Sequence, residues 1–520
     1  MEADIEAVEF AAIARLVERL THTPYGADAA RALTPAPDAE TAFRMQCAVT
    51  AARHAIEEQA HGLGRLPDIR PALRQASSAL AALSGTALLH IMQVLHQSEE
   101  WRALLVRYPH LYPGPDADFA PAPLLRAALE AALHTSGRIK DTASLRLNEY
   151  AAKLSAQEQV VTGILRQQRA ALLGPSPAGE GIVTQGVRLL LSLPSATADK
   201  VKGVRRGPAG QGREYLVEPI EVVALNNRLE SLAGERDAEE LLVRRALTDQ
   251  VREAGPVLER LIGALAWLDL AFAGGQLSVH MNASPPRFID EPSLRFSGVY
   301  HPAMLLAYAD RRGPQPIPLT IHLDEEHPML LITGPNTGGK TVVLKTVGLL
   351  VVMAYCGLHV PSEGEVVVGR FARLIIDIGD RQSLLHQLST FAGHVEVLKR
   401  LLHEADGDTL VLMDELGTGT DPEEGAALAM AVLDELARRQ VRGVITTHLS
   451  PLKTYATEHA HLTNATMRFD TERLVPTYEL EIGRSGSSHG LTIAERRGLP
   501  SPLLASARQH LARIIGERAL

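Results

Sequence analysis

Residues Gly334-Pro335-Asn336-Thr337-Gly338-Gly339-Lys340-Thr341 constrain the fold of this chain more than any other stretch. They follow the spacing GxxxxGK[ST], which has meaning only between a strand and a helix. The apolar run Met329-Leu330-Leu331-Ile332-Thr333 before them reads as a buried strand. The run Val342-Val343-Leu344-Lys345-Thr346-Val347-Gly348-Leu349-Leu350 after them reads as a largely buried helix. Glycines let the backbone turn its N–H groups inward around phosphate oxygens. The helix N-terminus adds partial positive charge at the same point. Lys340 would then reach the β and γ phosphates, and the Thr341 hydroxyl would hold Mg²⁺. Gly334 through Val342 are therefore expected to bind ATP with Mg²⁺, and the chain reads as a nucleotide hydrolase.

Length and charge set the frame around that loop. With 520 residues, about two to four domains are expected. A hydrophobic share of 46% with 22% charged residues is that of a soluble globular protein. The net charge of -9 argues against a generally basic nucleic-acid coat but leaves room for a local basic patch. The two cysteines, Cys47 and Cys356, form neither metal spacing nor a disulfide framework, which fits a reducing compartment. The acidic start Met1-Glu2-Ala3-Asp4-Ile5-Glu6 lacks a signal-peptide core. The most apolar run, Val347 to Val360, is interrupted by Gly348, Gly357 and His359 and follows the loop directly, so a buried helix is expected rather than a membrane span. A cytoplasmic protein without membrane partners is expected.

Past residue 290, four apolar runs look like parallel strands: 329–333, Leu374 to Ile378, Leu410 to Met413 and Val444 to Thr447. Helical segments separate them, as in a sheet covered on both faces. Such sheets bind ligands at the C-terminal edge of their strands, and the remaining motifs fall there. Leu410-Val411-Leu412-Met413 delivers Asp414 and Glu415 to that edge. Asp414 would hold Mg²⁺ through water, and Glu415 would polarise the attacking water as general base. A capped strand end is the plainer reading, but a second motif at one site favours the chemical one. Val444-Ile445-Thr446-Thr447 ends in His448, which reads as a γ-phosphate sensor, although a lone histidine is usually structural. Gly417-Thr418-Gly419-Thr420-Asp421-Pro422 reads as a turn, with Asp421 as N-cap and Pro422 opening a helix. A loop beside the carboxylates can also face a second subunit. Leu388-Ser389-Thr390-Phe391-Ala392-Gly393-His394 reads as a helix start capped by Ser389 or Thr390, a geometry that also suits a γ phosphate.

The N-terminal half reads as helical. Residues 1 to about 110 carry apolar stripes such as Phe10, Ile13, Leu16, Val17 and Leu20. A loop dense in Pro and Gly follows from Pro109 to Pro123, then a helical stretch to Leu173. Within 179–219, Gly181 to Thr184, Val187 to Leu193 and Glu214 to Val217 read as short strands, and Gly203, Gly207, Gly210 and Gly212 mark turns or a mobile loop. Helix resumes from Glu221, and Gly255-Pro256 should break or kink it near Ala254. A further helix is expected to Ala273, followed by strand-like Leu277-Ser278-Val279-His280-Met281. The two long arms and the small tip suggest a lever with a head. That tip holds Lys200, Lys202, Arg205, Arg206 and Arg213, which is either an ordinary solvated loop or a phosphate-backbone contact. With Tyr215 as its one aromatic, base stacking is not supported.

In order, Gly334 to Thr341 with Asn336, Asp377-Ile378-Gly379-Asp380, Leu388-Ser389-Thr390-Phe391, Asp414 to Asp421 and Thr446-Thr447-His448 resemble the ATPase of the MutS family. The likeness spans roughly residues 295–505, and an ABC transporter would show LSGGQ in place of Leu388 to Phe391. Mismatch-reading members carry an N-terminal Phe-x-Glu wedge, and the first hundred residues contain no such triplet. Val8-Glu9-Phe10, Gly137 to Asp141, and Glu218-Pro219 with Leu225-Asn226-Asn227 resemble the bacterial MutS-two branch, more loosely in the N-terminal half. The resemblance implies an α + α/β chain: a helical core, lever and clamp region followed by an ABC-like, parallel-sheet ATPase domain. The corresponding domains are 1–125, 126–290 with a tip at about 179–219, 291–500, and a C-terminal helix at 501–520.

The resemblance also implies a homodimer with composite ATP sites. Ser389 and Thr390 would act on the partner's nucleotide, with Thr418, Gly419, Thr420 and Asp421 facing the partner. It implies action on branched or otherwise distorted double-stranded DNA with suppression of recombination, or on collided ribosomes through rRNA. A structural tether with a vestigial ATP site is the rival reading, opposed by the intact Lys340, Thr341, Asp414, Glu415 and His448. Members usually continue into a small Smr nuclease domain, and this chain stops at Leu520, so no nuclease activity is expected from it. Arg381 stands where an acidic residue often follows Gly379-Asp380, and 200–215 matches the branch poorly. Past Gly498, Ser501 and Pro502 open a helix whose stripe of Leu503, Leu504, Ala507, Leu511 and Ile515 favours docking onto the partner over DNA reading.

Overall fold

The computed structural model describes residues 2–3, 5–60, 64–114, 117, 119, 121–174, 181–209, 214–334, 339–378, 390–470, 475–484, 491, 494–495 and 498–517. Its contacts divide the chain into two units. One comprises Met1–Arg65, Leu104–Gly114 and Ala264–Leu520, the other Leu66–Ala103 and Pro115–Gly263.

The first unit is built on a seven-stranded sheet. Its order is Glu2–Ala3, Arg373–Asp377, Thr409–Met413, Arg442–Thr447, Met329–Thr333, Leu462–Asp470 and Val475–Ile482. All neighbours are parallel except the last pair. The central strands are buried at every position, which is why their middles read as apolar runs. Alternate side chains then serve opposite faces. Leu330, Ile332, Leu374, Ile376, Leu410 and Leu412 join one core with the helix Lys340–Tyr355. Met329, Leu331, Ile375, Val411, Met413 and Ile445 join the other, against the helices Thr390–Glu404 and Pro422–Arg438.

Local periodicity does not announce what completes the first core. Val8, Phe10, Ile13, Val17, Ala30 and Ala42, from the N-terminal segment, pack in the same cluster as Leu330 and Val347. Within the Phe10–Leu20 helix, Phe10, Ile13 and Val17 are buried, as the apolar stripe predicts. Glu2 and Ala3 add a parallel edge strand by pairing with Arg373 and Leu374. A second sheet, ordered Arg287–Ile289, Val366–Gly369, Leu294–Val299 and Leu319–Leu323, lies in the same unit.

In the second unit, the strands Ile182–Gln185, Arg188–Pro194, Glu214–Pro219 and Gly203–Ala209 form an antiparallel sheet in that order. Leu191, Leu193 and Val217 pack there on Val161 and Leu165 of the Leu145–Leu173 helix and on Val222 and Leu229. The glycine-rich segment is thus in part a bulged strand, not only a turn or mobile loop. Its glycines permit close pairing: a Cβ on Gly203 would lie 2.1 Å from the Glu218 carbonyl oxygen.

Two expectations fail in the long helix Ile220–Met281. Pro256 lies inside it without breaking it, so of the expected break or kink the break does not occur. An interior proline costs about 3 kcal/mol or more. Burial of Val251, Leu258, Leu261, Leu265 and Leu268, each at 0% exposure, offsets that cost, since a fully buried Leu contributes about 1.5–3 kcal/mol. Leu277 to Met281 are the last turn of the same helix rather than a strand, with Leu277 and Met281 buried one turn apart. Among the described residues no helix is long and apolar enough to cross a membrane.

Candidate functional site

Register brings the candidate residues to one edge. Thr333 pairs with Thr447 on one side and Thr466 on the other, so neighbouring strands end level. Gly334 leaves the first strand at φ +134°, and Gly339 caps the following helix at φ +94°, both outside the range comfortable for a side chain. Pro335, Asn336, Thr337 and Gly338 lie outside the described residues.

Lys340 is 2% exposed. Its ammonium donates to the Gly334 carbonyl and, at 3.5 Å, to the Thr447 carbonyl. Burial pushes its pKa down, the nearby Asp414 and Glu415 carboxylates pull it up, and Lys453 pushes it down again. Thr341 Oγ1 donates to Asp414 Oδ2 at 2.7 Å. Thr446 Oγ1 donates to Asp414 Oδ1 at 2.5 Å and accepts the Glu415 N–H at 2.9 Å. One hydroxyl therefore fixes both acidic residues, and the Leu416 N–H donates to the Thr446 carbonyl at 3.0 Å. Glu415 sits at φ +54°, a left-handed conformation costing about 1–2 kcal/mol for a residue with a Cβ. The bonds to Thr446 hold it there, which re-aims the backbone at the end of the strand. A buried ammonium beside a hydroxyl–carboxylate pair is the donor set a magnesium triphosphate needs, so these residues fit ATP with Mg²⁺.

The loops that follow are tied together. Thr447 Oγ1 donates to the Leu416 carbonyl and accepts the Leu449 N–H, each at 3.2 Å. His448 is exposed between them. Val342 is part-exposed on the helix. Gly417 and Gly419 take φ +86° and +90°, and Thr418 donates its N–H to the Glu415 carbonyl at 3.2 Å. A Cβ on Gly425 would come within 2.0 Å of the Gly417 carbonyl oxygen, so loop and helix meet backbone to backbone. Asp421 caps the Pro422–Arg438 helix by accepting the Glu423 N–H at 2.9 Å. Thr420 Oγ1 donates to Glu424 at 3.4 Å.

Ser389 and Arg381 lie outside the described residues, as does the Thr390 side chain, though Thr390 opens the Thr390–Glu404 helix. On that helix His394 Nδ1 lies 3.2 Å from the buried Asp377 Oδ2. The Asp377 carbonyl in turn accepts the Asp414 N–H at 2.8 Å.

Sequence reasoning missed two residues here. Tyr478 is 48% exposed at φ +60°, and its ring would lie 2.7 Å from a Cβ placed on Gly339. An exposed ring beside Gly339 suits stacking on a nucleobase, but a lone tyrosine in an edge strand gives no sequence signal for that. Lys453, on the helix Ser450–Glu458, carries a second amine, half-buried, whose pKa burial pushes down.

In the second unit the tip cations divide. Lys200 and Lys202 are exposed. Arg205 pairs with Asp199 and lies over the Tyr215 ring, 5.4 Å from its centroid. Arg206 Nε donates to Glu218 Oε2 at 2.8 Å. Glu218 is fully buried and also accepts from Arg188 at 2.6 Å and from Asn226 at 2.9 Å. Burial pushes the Glu218 carboxyl up, but the hydrogen bonds from Asn226, Arg206 and Arg188 outweigh it and hold its pKa below the ordinary value. Arg206, itself part-exposed, is thus committed to the buried Glu218 carboxylate. Arg213 lies outside the described residues.

A family profile described as MutS domain V matches residues 330–515. The chain is 34% identical over 525 residues to the Endonuclease MutS2 of Thermomicrobium roseum, covering 97% of this chain and 65% of that protein. It is 34% identical to the Endonuclease MutS2 of Symbiobacterium thermophilum, covering 98% and 64% of the two chains, and 34% identical to that of Thermus thermophilus, covering 97% and 65%. The chain thus spans 64–65% of the length of these curated relatives.

Proposed function

The chain belongs to the MutS2 branch of the MutS family, and from that premise we propose that it is an ATP-hydrolysing, DNA-binding homodimer that clamps branched or distorted duplexes and suppresses recombination. One observation carries the reading. Three motifs far apart in sequence meet at one sheet edge, where Thr341 bonds Asp414 and Thr446 bonds both Asp414 and the Glu415 backbone.

Bound Mg²⁺ would neutralise charge on the β and γ phosphates, with Thr341 and Asp414 as its holders. Lys340 would exchange its carbonyl partners for phosphate oxygens. Glu415 would accept the proton of the attacking water, and the exposed His448, following the strand Arg442–Thr447, would orient the γ phosphate. Ser389 and Thr390 of one copy, with the loop Thr418 to Asp421, would complete the site of the other. Closure of two ATPase domains, assigned to 291–500, would change the grip of residues 126–290 on the duplex, and hydrolysis would reset it. In the C-terminal helix Leu503 and Leu511 are exposed, at 55% and 46%, an apolar face suited to the partner subunit.

The test is ATP turnover without DNA, with plain duplex and with branched DNA, alongside sedimentation. Dimerisation with stimulation by branched DNA is expected. A monomer whose slow turnover ignores every ligand would overturn the proposal.

Two substitutions probe its parts. Tyr478→Ala is expected to weaken ATP binding about 5- to 150-fold, because base–aromatic stacking is worth about 1–3 kcal/mol. Tripolyphosphate, which has no base, should bind equally to both proteins. Equal loss for both ligands would place Tyr478 in loop support rather than base contact. Replacing Lys200 and Lys202 by Ala should make log K against log salt shallower by about 1.8, at about 0.9 per lost phosphate contact. Arg206→Ala should instead lower the unfolding temperature of the second unit, through Glu218. An unchanged salt slope in the double variant would remove the tip from the interface.

A further inference from the structure

We propose that His322, Asp324 and His327 form a binding site for a divalent transition-metal ion of the zinc class, separate from the magnesium of the nucleotide. His322 belongs to the Leu319–Leu323 strand, and the other two occupy the turn that leads into the central strand Met329–Thr333. One ligand atom from each residue lies within 4.8 Å of the others. A tetrahedral zinc ion with bonds of about 2.0–2.1 Å separates its ligand atoms by about 3.3–3.4 Å. His327 Nδ1 and Asp324 Oδ1 stand 3.4 Å apart, so two of the three already have that spacing. The His322 and His327 rings meet edge to face with centroids 5.4 Å apart, so His322 must turn toward the other two for all three to hold one ion.

The turn holds its ligands in place. The His327 N–H donates to Asp324 Oδ1 at 2.7 Å, and the Asp324 N–H donates to the His327 carbonyl at 3.3 Å. The His327 and Asp324 side chains are partly exposed, but the His327 Nδ1 atom is itself shielded from solvent and makes no hydrogen bond. A shielded ring nitrogen facing a carboxylate without a hydrogen bond is an unfavourable arrangement that a metal ion resolves. Glu325 and Glu326 add negative charge to the turn. Arg442 opposes them as a nearby cation, yet its Nη1 is engaged with the Gln440 carbonyl at 2.6 Å.

The donor set selects the ion. Magnesium takes oxygen ligands in an octahedron and keeps its waters. Two imidazoles and one carboxylate suit zinc, cobalt, nickel or copper, with water completing the shell. Such an ion would tie the end of one sheet to the entry of the central strand of the other. That is the strand end remote from Lys340, so the ion takes no part in ATP chemistry.

The experiment is titration of the metal-stripped, untagged chain with Zn²⁺ by calorimetry, and with Co²⁺ followed by visible absorption. One ion per chain is expected, with a tetrahedral cobalt spectrum and a higher unfolding temperature. His322→Ala and His327→Ala should each weaken binding at least about 100-fold, more than the loss of an outer-shell partner. Asp324→Asn, which keeps the turn's shape, should weaken it by a smaller factor. His459 and His461, with ring centroids 5.6 Å apart, are a second imidazole pair, and His461→Ala should leave binding unchanged. No stoichiometric binding would overturn the proposal. So would wild-type affinity in the His322 and His327 variants, or loss of binding in His461→Ala.

Discussion

Glu415→Gln is expected to stop ATP turnover while leaving ATP bound. The substitution keeps side-chain volume and hydrogen-bonding capacity and removes only the base. General-base catalysis typically contributes about 10²–10⁴-fold, so the rate constant should fall by that factor. Affinity should hold, because the groups that would grip the nucleotide are elsewhere: Lys340, the Thr341 hydroxyl bonded to Asp414, and the Gly339 helix start. The backbone should hold as well, since the Glu415 N–H and not its side chain bonds Thr446. The measurement is single-turnover hydrolysis beside equilibrium binding of ATP. Lys340→Ala is the contrasting control and should lose binding itself. Turnover within about threefold of the parent would mean that another group takes the proton. Lost ATP affinity in Glu415→Gln would mean that Glu415 serves binding rather than chemistry.

Much of the nucleotide-side architecture can be read from sequence, for a physical reason. A strand buried on both faces must be largely apolar, so 329–333, 374–378, 410–413 and 444–447 stand out as mainly apolar runs, the second of them one residue off the strand Arg373–Asp377. A parallel sheet collects whatever follows such runs at one edge. Lys340, Asp414 and His448 could therefore be placed near one another from their positions after strands. Thr446 shows where that reasoning stops. Its pair with Asp414 depends on the register of two neighbouring strands, which no local pattern encodes.

Other features resist sequence reading because distant packing decides them. Pro256 is a helix breaker in isolation, and only the burial of Val251 and Leu258 on either side keeps the helix continuous. Leu277 to Met281 alternate like a strand, yet Leu277 and Met281 are also one helical turn apart, and helix propagation from Ile220 decides between the two periods. Gly203 to Ala209 look like a turn because glycine weakens strands, whereas here the glycines allow close pairing with Glu214–Pro219. Glu2 and Ala3 are too short a strand to carry any periodic signal, and only the free edge of Arg373–Asp377 makes them one. Tyr478 acquires its place over Gly339 through the antiparallel return of the last strand.

Asp269→Ala should destabilise the first unit by about 3–5 kcal/mol. The carboxylate is fully buried and accepts four hydrogen bonds from three donors. The His22 N–H reaches its two oxygens at 3.0 and 3.1 Å, and the Thr23 N–H and Oγ1 reach Oδ2 at 2.7 and 2.6 Å. Thr23 Oγ1 also accepts the Gly26 N–H at 3.0 Å and so caps the Pro24–Arg31 helix. Removing the carboxylate leaves the two buried Thr23 donors and the part-buried His22 N–H without acceptors, the buried ones costing about 1–3 kcal/mol each, and loosens the cap. Asp269→Asn keeps two acceptor positions on one oxygen and should lose roughly half as much. Gly26→Ala attacks the same contact from the other side, since its Cβ would lie 2.2 Å from Asp269 Oδ2. Trp267, two residues away, provides the signal: urea unfolding followed by its fluorescence in a Trp101→Phe background isolates this unit. A loss below about 1 kcal/mol for Asp269→Ala would show that water replaces the carboxylate at little cost, and that the His22–Thr23 turn is held by its neighbours rather than by this charge.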